Sequence, residues 1–262
     1  MILYTWNVLN PAFAAMTWLD FADKKTGAAL AKKDQTRTPE RQEAILAVLR
    51  KWLATPAVVC LQEVWPSLRE ALQKEYGKNA AFTTDNPEDC RGILVRGMPI
   101  VRATTHQFPF DPPKSALIAT ILMGRRRVLV LNIHLHWKWN DAEAIFKHLY
   151  KLPTFDVIAG DCNKRIDEVS LPGRPARLKG VTGVHPTDGV LAAIDQVRVG
   201  PNVTLKGATI VDNLIYDFKA IVKKGFTAKD LSDHAPVKAA IMFPMSFTER
   251  TFRKNLKKTK KV

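Results

Sequence analysis

The chain has 262 residues, 46% of them hydrophobic, which allows one large domain with a substantial core and excludes a disordered chain. The formal net charge of +15 favours an anionic partner, with nucleic acid first and an acidic lipid surface second. No apolar run approaches the roughly 20 residues of a membrane span. Met1 leads directly into an apolar run without a basic, cleavable leader, so we expect no signal peptide and an intracellular location. Three cysteines form no disulfide framework, which fits a reducing compartment.

The first third of the chain predicts a strand followed by helices. Thr38 is expected to cap a helix whose first turn contains Pro39, because this pair is typical of a helix start. Apolar residues then recur at helical spacing up to Trp52. The predicted elements are a strand at 2–6, a long and partly helical connection at 14–37, a helix from 38, a buried strand at 57–61 and an amphipathic helix at 66–76.

The rest of the chain is dominated by strand patterns. The predicted strands are 92–95, 116–122, 128–133, 156–159, 193–199, 206–211 and 237–243, with a helix at 141–152. We place the run 125–127, three arginines, in a turn. Because strands outnumber helices without strict alternation, the pattern predicts two packed sheets covered by helices. We expect a domain at 1–245 and a basic, mobile tail at 246–262 that contacts nucleic acid.

Six short segments end apolar runs in residues that can bind a metal or a phosphate. A single segment of this kind is a common surface turn, but six of them, spread from the first strand to the last, predict an active site built from strand ends. The segments are Thr5-Trp6-Asn7, Leu61-Gln62-Glu63-Val64, Asn132-Ile133-His134-Leu135, Gly160-Asp161-Cys162-Asn163, Ile194-Asp195-Gln196-Val197 and Ser232-Asp233-His234.

In their order and spacing these segments resemble the endonuclease/exonuclease/phosphatase superfamily, the relatives of deoxyribonuclease I. The resemblance runs from Asn7 to His234. It implies an α/β fold, a four-layer αββα sandwich of two packed β-sheets flanked by helices. It also implies a hydrolase that cleaves phosphoester bonds by metal-assisted attack of water, with Mg²⁺ as the cofactor and Mn²⁺ as the alternative.

The resemblance implies a set of metal ligands. Glu63 would be the principal ligand, since a hard cation prefers carboxylate oxygen. Asn7 would position the metal or its water, and Asp233 would lie near the metal.

The resemblance also implies catalytic roles. Asp161 would orient or deprotonate the attacking water, and Asn163 would donate a hydrogen bond to a phosphate oxygen. His134 would hydrogen-bond the scissile phosphate. His234 would act as general acid/base or stabilise the transition state, with Asp195 as the carboxylate that fixes its tautomer.

Two positions stand apart from these roles. Gln196 occupies a position where the family frequently has tyrosine, a departure that we expect to affect packing more than chemistry. Cys162 fills the variable middle position of its segment and has no catalytic role in this prediction. A thiol exposed at this position would make the protein sensitive to oxidation.

Substrate preference is predicted from charge and aromatic residues. Trp137 and Trp139 are candidates for stacking on bases, and Arg125 and Arg126 for contacting a polyanion. These residues favour a nuclease acting on DNA or RNA. The alternative is a lipid phosphoesterase similar to sphingomyelinases or phosphoinositide phosphatases, because the His-Leu-His and Leu-Gln-Glu-Val-Trp segments resemble those of sphingomyelinases. The lack of an amphipathic membrane segment disfavours this alternative. A third possibility, a non-catalytic nucleic-acid-binding relative, is disfavoured because every expected polar residue is present.

Overall fold

The computed structural model describes residues 1–13, 18, 23–110, 114–136, 138, 142–152, 154–165, 168, 171–179, 182–184, 191–211, 214 and 216–244. The strands are β1 (Ile2–Asn7), β2 (Ala57–Val64), β3 (Ala80–Phe82), β4 (Cys90–Arg96), β5 (Ile100–Gln107), β6 (Ser115–Met123), β7 (Arg126–His134), β8 (Val157–Asp161), β9 (Arg174–Pro175), β10 (Gly183–Val184), β11 (Leu191–Ala192), β12 (Asp195–Val199), β13 (Thr204–Ile210) and β14 (Val237–Met242). The α-helices are α1 (Lys24–Thr36), α2 (Thr38–Trp52), α3 (Pro66–Tyr76), α4 (Ala142–Tyr150) and α5 (Phe218–Lys224).

Two six-stranded mixed sheets form the centre of the molecule. The first has the order β13-β14-β1-β2-β4-β3, and the second has the order β5-β6-β7-β8-β12-β9. Each contains one parallel pair, β1–β2 in the first and β7–β8 in the second, next to an antiparallel strand, β14 or β12. A hydrogen bond from Asn7 to Asp161 shows that the carboxyl ends of the two parallel pairs meet.

Three apolar layers hold this arrangement together. Alternate strand residues such as Val58 and Val130 pack between the two sheets. The other face of the first sheet is covered by α2 and α3 through residues such as Leu49 and Leu68. The other face of the second sheet is covered by α4 through residues such as Ile145. The order helix, sheet, sheet, helix confirms the predicted αββα sandwich.

The helix boundaries differ in part from the prediction. The predicted helix at 66–76 is confirmed by α3. Thr38 is not the cap of α2: the N-cap is Arg37, and the Thr38 hydroxyl donates to the carbonyl of Gln35 at 2.6 Å, at the end of α1. Within the predicted connection at 14–37, residues 24–36 form a regular helix, α1. Its N-cap, Asp23, accepts hydrogen bonds from two backbone amides.

Two strand assignments are also corrected. The sequence pattern missed β5, an edge strand whose residues are mostly exposed, so that it lacks an apolar face. The turn between β6 and β7 contains Gly124 and Arg125, whereas Arg126 and Arg127 already belong to β7.

An amide pair, Gln62 and Asn132, links the two sheets behind their meeting ends. The Gln62 amide donates to Asn132 Oδ1 at 2.6 Å. The Asn132 amide donates to the carbonyls of Leu61 at 2.9 Å and Gly92 at 2.8 Å, both in the first sheet. Because buried amides are costly to leave unpaired, this pair fixes the two sheets against each other next to Glu63 and His134.

Candidate active site

Predicted site residues from both sheets converge where the parallel pairs end. Asn7 and Glu63 lie at the ends of β1 and β2, and His134 and Asp161 at the ends of β7 and β8. The ligand atoms of Glu63, His134 and Asp161 lie within 4.8 Å of one another, and all three side chains are buried. The strand ends therefore form one compact polar cluster.

Asp161 is the centre of this cluster. Its Oδ2 lies 3.6 Å from Nε2 of His134 and 3.6 Å from Nε2 of His234. The same oxygen accepts a hydrogen bond from Asn7 at 3.0 Å, while Oδ1 accepts from the backbone amide of Asn163 at 2.7 Å. The Asp161 carboxylate therefore lies close to the imidazoles of both His134 and His234.

The amides of Asn7 and Asn163 orient the cluster. Asn7 donates to Glu63 Oε1 at 2.9 Å and to Asp161, while its own oxygen accepts from the amide of Leu9 at 3.0 Å. In this geometry Asn7 bridges two carboxylates, and the predicted metal contact would require its amide to turn over. The Asn163 side chain donates to the carbonyl of Leu135 at 2.9 Å and to Asp161 at 3.4 Å, so donation to a phosphate would require a change of partner.

His234 is held from behind by Asp195. Nδ1 of His234 lies 2.8 Å from Asp195 Oδ2, which leaves Nε2 facing Asp161. Thr182 Oγ1 accepts hydrogen bonds from the amides of Ile194 and Asp195 and so fixes the start of β12. A Cβ on Gly183 would lie 2.8 Å from His234 Nδ1, so only glycine allows this close approach.

The backbone around the cluster is strained. Across the described ranges, the non-glycine residues with positive φ are Leu9 (54°), Glu63 (58°) and Asn163 (50°), all at or beside the site. Gly160, with φ of 146°, precedes Asp161, and a Cβ there would lie 1.9 Å from the carbonyl of Ile133. Such conformations cluster at sites where geometry matters more than local stability.

The carboxylates of the cluster favour protonation or a bound cation. Burial raises the pKa of Glu63 to about 7, and the negative charges of Asp89 and Asp233 add to this shift. Burial also raises the pKa of Asp161 to about 6, where Asp195 adds to the shift and His234 opposes it. Buried oxygen ligands that lack sufficient positive charge fit a hard divalent cation.

The two histidines have opposite charge preferences. Burial, together with the positive charges of Lys114 and Arg91, lowers the pKa of His134 well below its usual value. Burial also disfavours the charged form of His234, but the negative charges of Asp195 and Asp161 outweigh it and raise the pKa well above the usual value.

Sequence reasoning missed an ion pair beside the cluster, which we call the rim ion pair. Lys114 Nζ lies 2.8 Å from Asp89 Oδ2, and Arg91 Nη1 lies 3.6 Å from the same oxygen. Asp89 directly precedes β4 in the first sheet and Lys114 directly precedes β6 in the second. No sequence signal distinguishes these residues from ordinary charged residues before a strand.

Several predicted residues lie outside the cluster. Arg125 and Arg126 are at the opposite end of β7 from His134, about 26 Å away at roughly 3.3 Å per residue. Arg126 pairs there with Asp156 at 3.1 Å. Their predicted role at the substrate is therefore not supported by their position. Trp137, Trp139 and the tail 246–262 lie outside the described residues.

The remaining two predicted positions have different outcomes. Asp233 is half-buried, accepts a hydrogen bond from Ser232 Oγ at 3.4 Å, and lies close enough to raise the pKa of Glu63. The Cys162 thiol is not exposed, because its side chain is buried in the apolar layer that α4 covers. Burial, with the negative charges of Asp161 and Asp195, raises the pKa of this thiol well above its usual value.

The four-layer sandwich, with this cluster at the ends of its central strands, shares its fold with solved TDP2 and endonuclease/exonuclease/phosphatase structures. Solved structures with this fold include TDP2 from D. rerio humanized by 14 mutations, with 17% identity, 92% of this chain and 98% of that chain covered, and a TM-score of 0.63. D. rerio TDP2 complexed with a single-stranded DNA product matches with 17% identity, the same coverage and a TM-score of 0.62. An endonuclease/exonuclease/phosphatase from Bacteroides vulgatus matches with 15% identity over 93% of this chain and 98% of that chain, at a TM-score of 0.61. No protein-family model and no curated protein matches the sequence.

Within the described ranges, none of the helices has the length and apolar character needed to cross a membrane.

Proposed function

We propose that this protein is a metal-dependent phosphodiesterase that hydrolyses nucleic-acid phosphoester bonds. The observation that carries the proposal is the position of Asp161, with Glu63 nearby and the imidazoles of His134 and His234 both 3.6 Å away. The net charge of +15 and the DNA-bound D. rerio TDP2 structure support a nucleic-acid substrate.

In this proposal Glu63, with Asp233 close by, would hold Mg²⁺ or Mn²⁺. The fit rests on buried carboxylates whose pKa values are raised and on a donor set of hard oxygens. When bound, the ion would supply positive charge to the phosphate and lower the pKa of water.

The chain's own residues would orient water and phosphate. Asp161 would accept a hydrogen bond from the attacking water and take up its proton. His234, held by Asp195 through Nδ1, would present a protonated Nε2 to the phosphate or to the leaving oxygen. His134, favoured as a neutral imidazole, would hydrogen-bond a phosphate oxygen without adding charge.

A cleavage panel with and without EDTA tests this function. We expect hydrolysis of single-stranded DNA, double-stranded DNA or RNA in Mg²⁺, little hydrolysis of sphingomyelin or phosphoinositides, and none in excess EDTA. Glu63→Gln should nearly abolish turnover, whereas Glu70→Gln, at an exposed glutamate of α3, should not. Full activity in EDTA would contradict metal dependence. Strong sphingomyelin hydrolysis without nuclease activity would instead favour the lipid phosphoesterase.

The basic tail and two tryptophans remain predictions about substrate affinity. Removing residues after Met245 should flatten the salt dependence of oligonucleotide binding while turnover at saturation is retained, because basic residues displace counterions. Trp137→Ala and Trp139→Ala should each weaken oligonucleotide binding by about 1–3 kcal/mol if the ring stacks on a base. Both variants should spare hydrolysis of bis-p-nitrophenyl phosphate. Unchanged salt dependence in the truncated chain would show that the tail is passive.

A further inference from the structure

A cavity of about 270 Å³ lies under the end of α4, on the outer face of the second sheet. Its apolar walls come from Leu149 and Leu152 at the end of α4 and from Phe155 and Ile158 at the start of β8. These residues belong to the layer between α4 and the sheet, whereas Val157, the neighbour of Ile158, faces the layer between the sheets. The cavity is therefore on the other side of the sheet from the candidate active site.

One wall of this cavity is a buried arginine. Arg198 on β12 is 7% exposed and lines the cavity. Its guanidinium donates to the carbonyls of Pro172 at 3.3 Å and Gly173 at 3.1 Å and to Gln196 Oε1 at 3.2 Å. Across the part of the chain that the structure describes, no carboxylate lies within ion-pair distance of Arg198. Three of the five N–H donors are thus engaged, and two remain for a ligand.

The walls around Arg198 are set by close backbone packing. A Cβ on Gly173 would lie 2.8 Å from the carbonyl of Val199, and a Cβ on Gly200 would lie 2.3 Å from the carbonyl of Phe155. The backbone segments that border the cavity are therefore packed directly against each other. Cavities that are preformed, mostly apolar and furnished with one polar group are typical of small-molecule sites.

We propose that this cavity binds a small carboxylate with an aliphatic tail. A buried cation without a counter-charge is costly, and an anionic head on Arg198 would relieve that cost with charge-assisted hydrogen bonds. The apolar walls would receive the tail. Gln196, which bonds Arg198, also donates to the carbonyl of Lys164, next to Asn163, so the head would lie one hydrogen-bonded side chain from the active-site loop.

Calorimetric titration with octanoate and 1-octanol tests this site, because the two ligands share a tail and differ in charge. We expect octanoate to bind at least about tenfold more tightly, since a hydrogen bond to a charged group has that worth. From butanoate to octanoate, affinity should rise about fourfold per methylene, as apolar burial requires. Arg198→Met should remove the preference for octanoate, whereas Arg102→Met, at an exposed arginine of β5, should keep it.

Other results would overturn the proposal. It fails if wild-type protein binds neither ligand, if it binds both equally, or if Arg102→Met and Arg198→Met lose the same affinity. If Arg198→Met does not fold, Leu152→Trp decides: filling the cavity should abolish octanoate binding, and retained binding would place the ligand elsewhere.

Discussion

His134 and His234 face the same carboxylate, that of Asp161, yet the hydrogen bonds and the other charges around their rings differ. Both are buried, at 4% and 6% exposure. His234 has Asp195 at 2.8 Å from its Nδ1, whereas Nδ1 of His134 has no hydrogen-bond partner among the residues that the structure describes. Both Nε2 atoms lie 3.6 Å from Asp161 Oδ2, but at His134 the positive charges of Lys114 and Arg91 add to the effect of burial on the pKa. The two residues are both histidines, but the charged side chains around them favour a neutral imidazole at His134 and a protonated one at His234.

Replacing each histidine with asparagine should give the largest difference in turnover between the two sites. His234→Asn should lower turnover by at least about 10²-fold, because a neutral amide cannot transfer a proton. His134→Asn should lower it by less than about tenfold, because an amide can still donate a hydrogen bond to the phosphate. Single-turnover rates on an oligonucleotide would measure both losses. Equal losses would contradict the assignment of different roles.

Removing the charge of Asp195 should make the surroundings of His234 more like those of His134, whose Nδ1 has no hydrogen-bond partner among the described residues. Asp195→Asn should lower turnover by about 10–10²-fold, because His234 loses the charge that keeps it protonated and oriented. In a double-mutant cycle with His234→Ala, most of this loss should disappear. Additive effects of the two substitutions would show that Asp195 acts independently of His234.

Glu63, on the His134 side, should make the metal-free protein pH-sensitive. Its pKa of about 7 in the folded state exceeds the ordinary value of 4.5, so the folded state holds the proton more tightly. Stability from this group is therefore present below about pH 4.5 and is lost as pH rises through about 7. In EDTA at pH 8, Glu63→Gln should be more stable than the wild type by about 1–2 kcal/mol, and the difference should shrink at pH 5.

Magnesium should reverse this order, because the cation requires ionised Glu63. Mg²⁺ should raise the melting temperature of the wild type at pH 8, less so at pH 6, and not that of Glu63→Gln. Glu70→Gln serves as the control and should behave as the wild type throughout. If the difference in unfolding free energy between the wild type and Glu63→Gln in EDTA were the same at pH 5 and pH 8, the raised pKa of Glu63 would be contradicted.

The smallest expected effect concerns the rim ion pair. Lys114→Met removes one of the positive charges that lower the pKa of His134, so that pKa should rise while the pKa of His234 stays nearly constant. NMR titration of the two imidazoles in EDTA would measure this difference. An equal rise at both histidines would indicate a general change of the site and not a local charge effect.

The regular elements were predictable where short-range chemistry determines them. Helix α3 is predictable from Pro66 at its first position and Gly77 directly after its last, two signals that adjoin each other closely in sequence with the helix between them. The edge strand β5 has no such signal. Most of its residues are exposed, so its sequence does not alternate between apolar and polar residues. Arg126 lies in β7 and not in the predicted turn, and there it pairs with Asp156 and lies over the ring of Phe243.

The site was predictable only through resemblance, since its residues meet across long sequence separations. Nothing between Asp195 and His234 indicates that their side chains touch, and the family pattern alone suggested the pair. The pairing of Gln62 with Asn132 does have a sequence signal. Both are polar residues inside apolar strands, and such residues need partners from elsewhere in the fold. The burial of Cys162 has no sequence signal, because the turn that contains it is covered by the apolar layer under α4, which comes from another part of the chain.

The position of β1 also sets when the site can exist during protein synthesis. This first strand lies between β2 and the last strand, β14. Trp6 Nε1 donates to the carbonyl of His234, 228 residues away, at 2.9 Å, and Ser232 Oγ donates to the carbonyl of Asn7 at 2.7 Å. A chain still growing on the ribosome holds the first site residue from the start but lacks the segment that braces it. Because these contacts need residues synthesised late, the candidate site cannot be complete in the nascent chain until β14 has emerged.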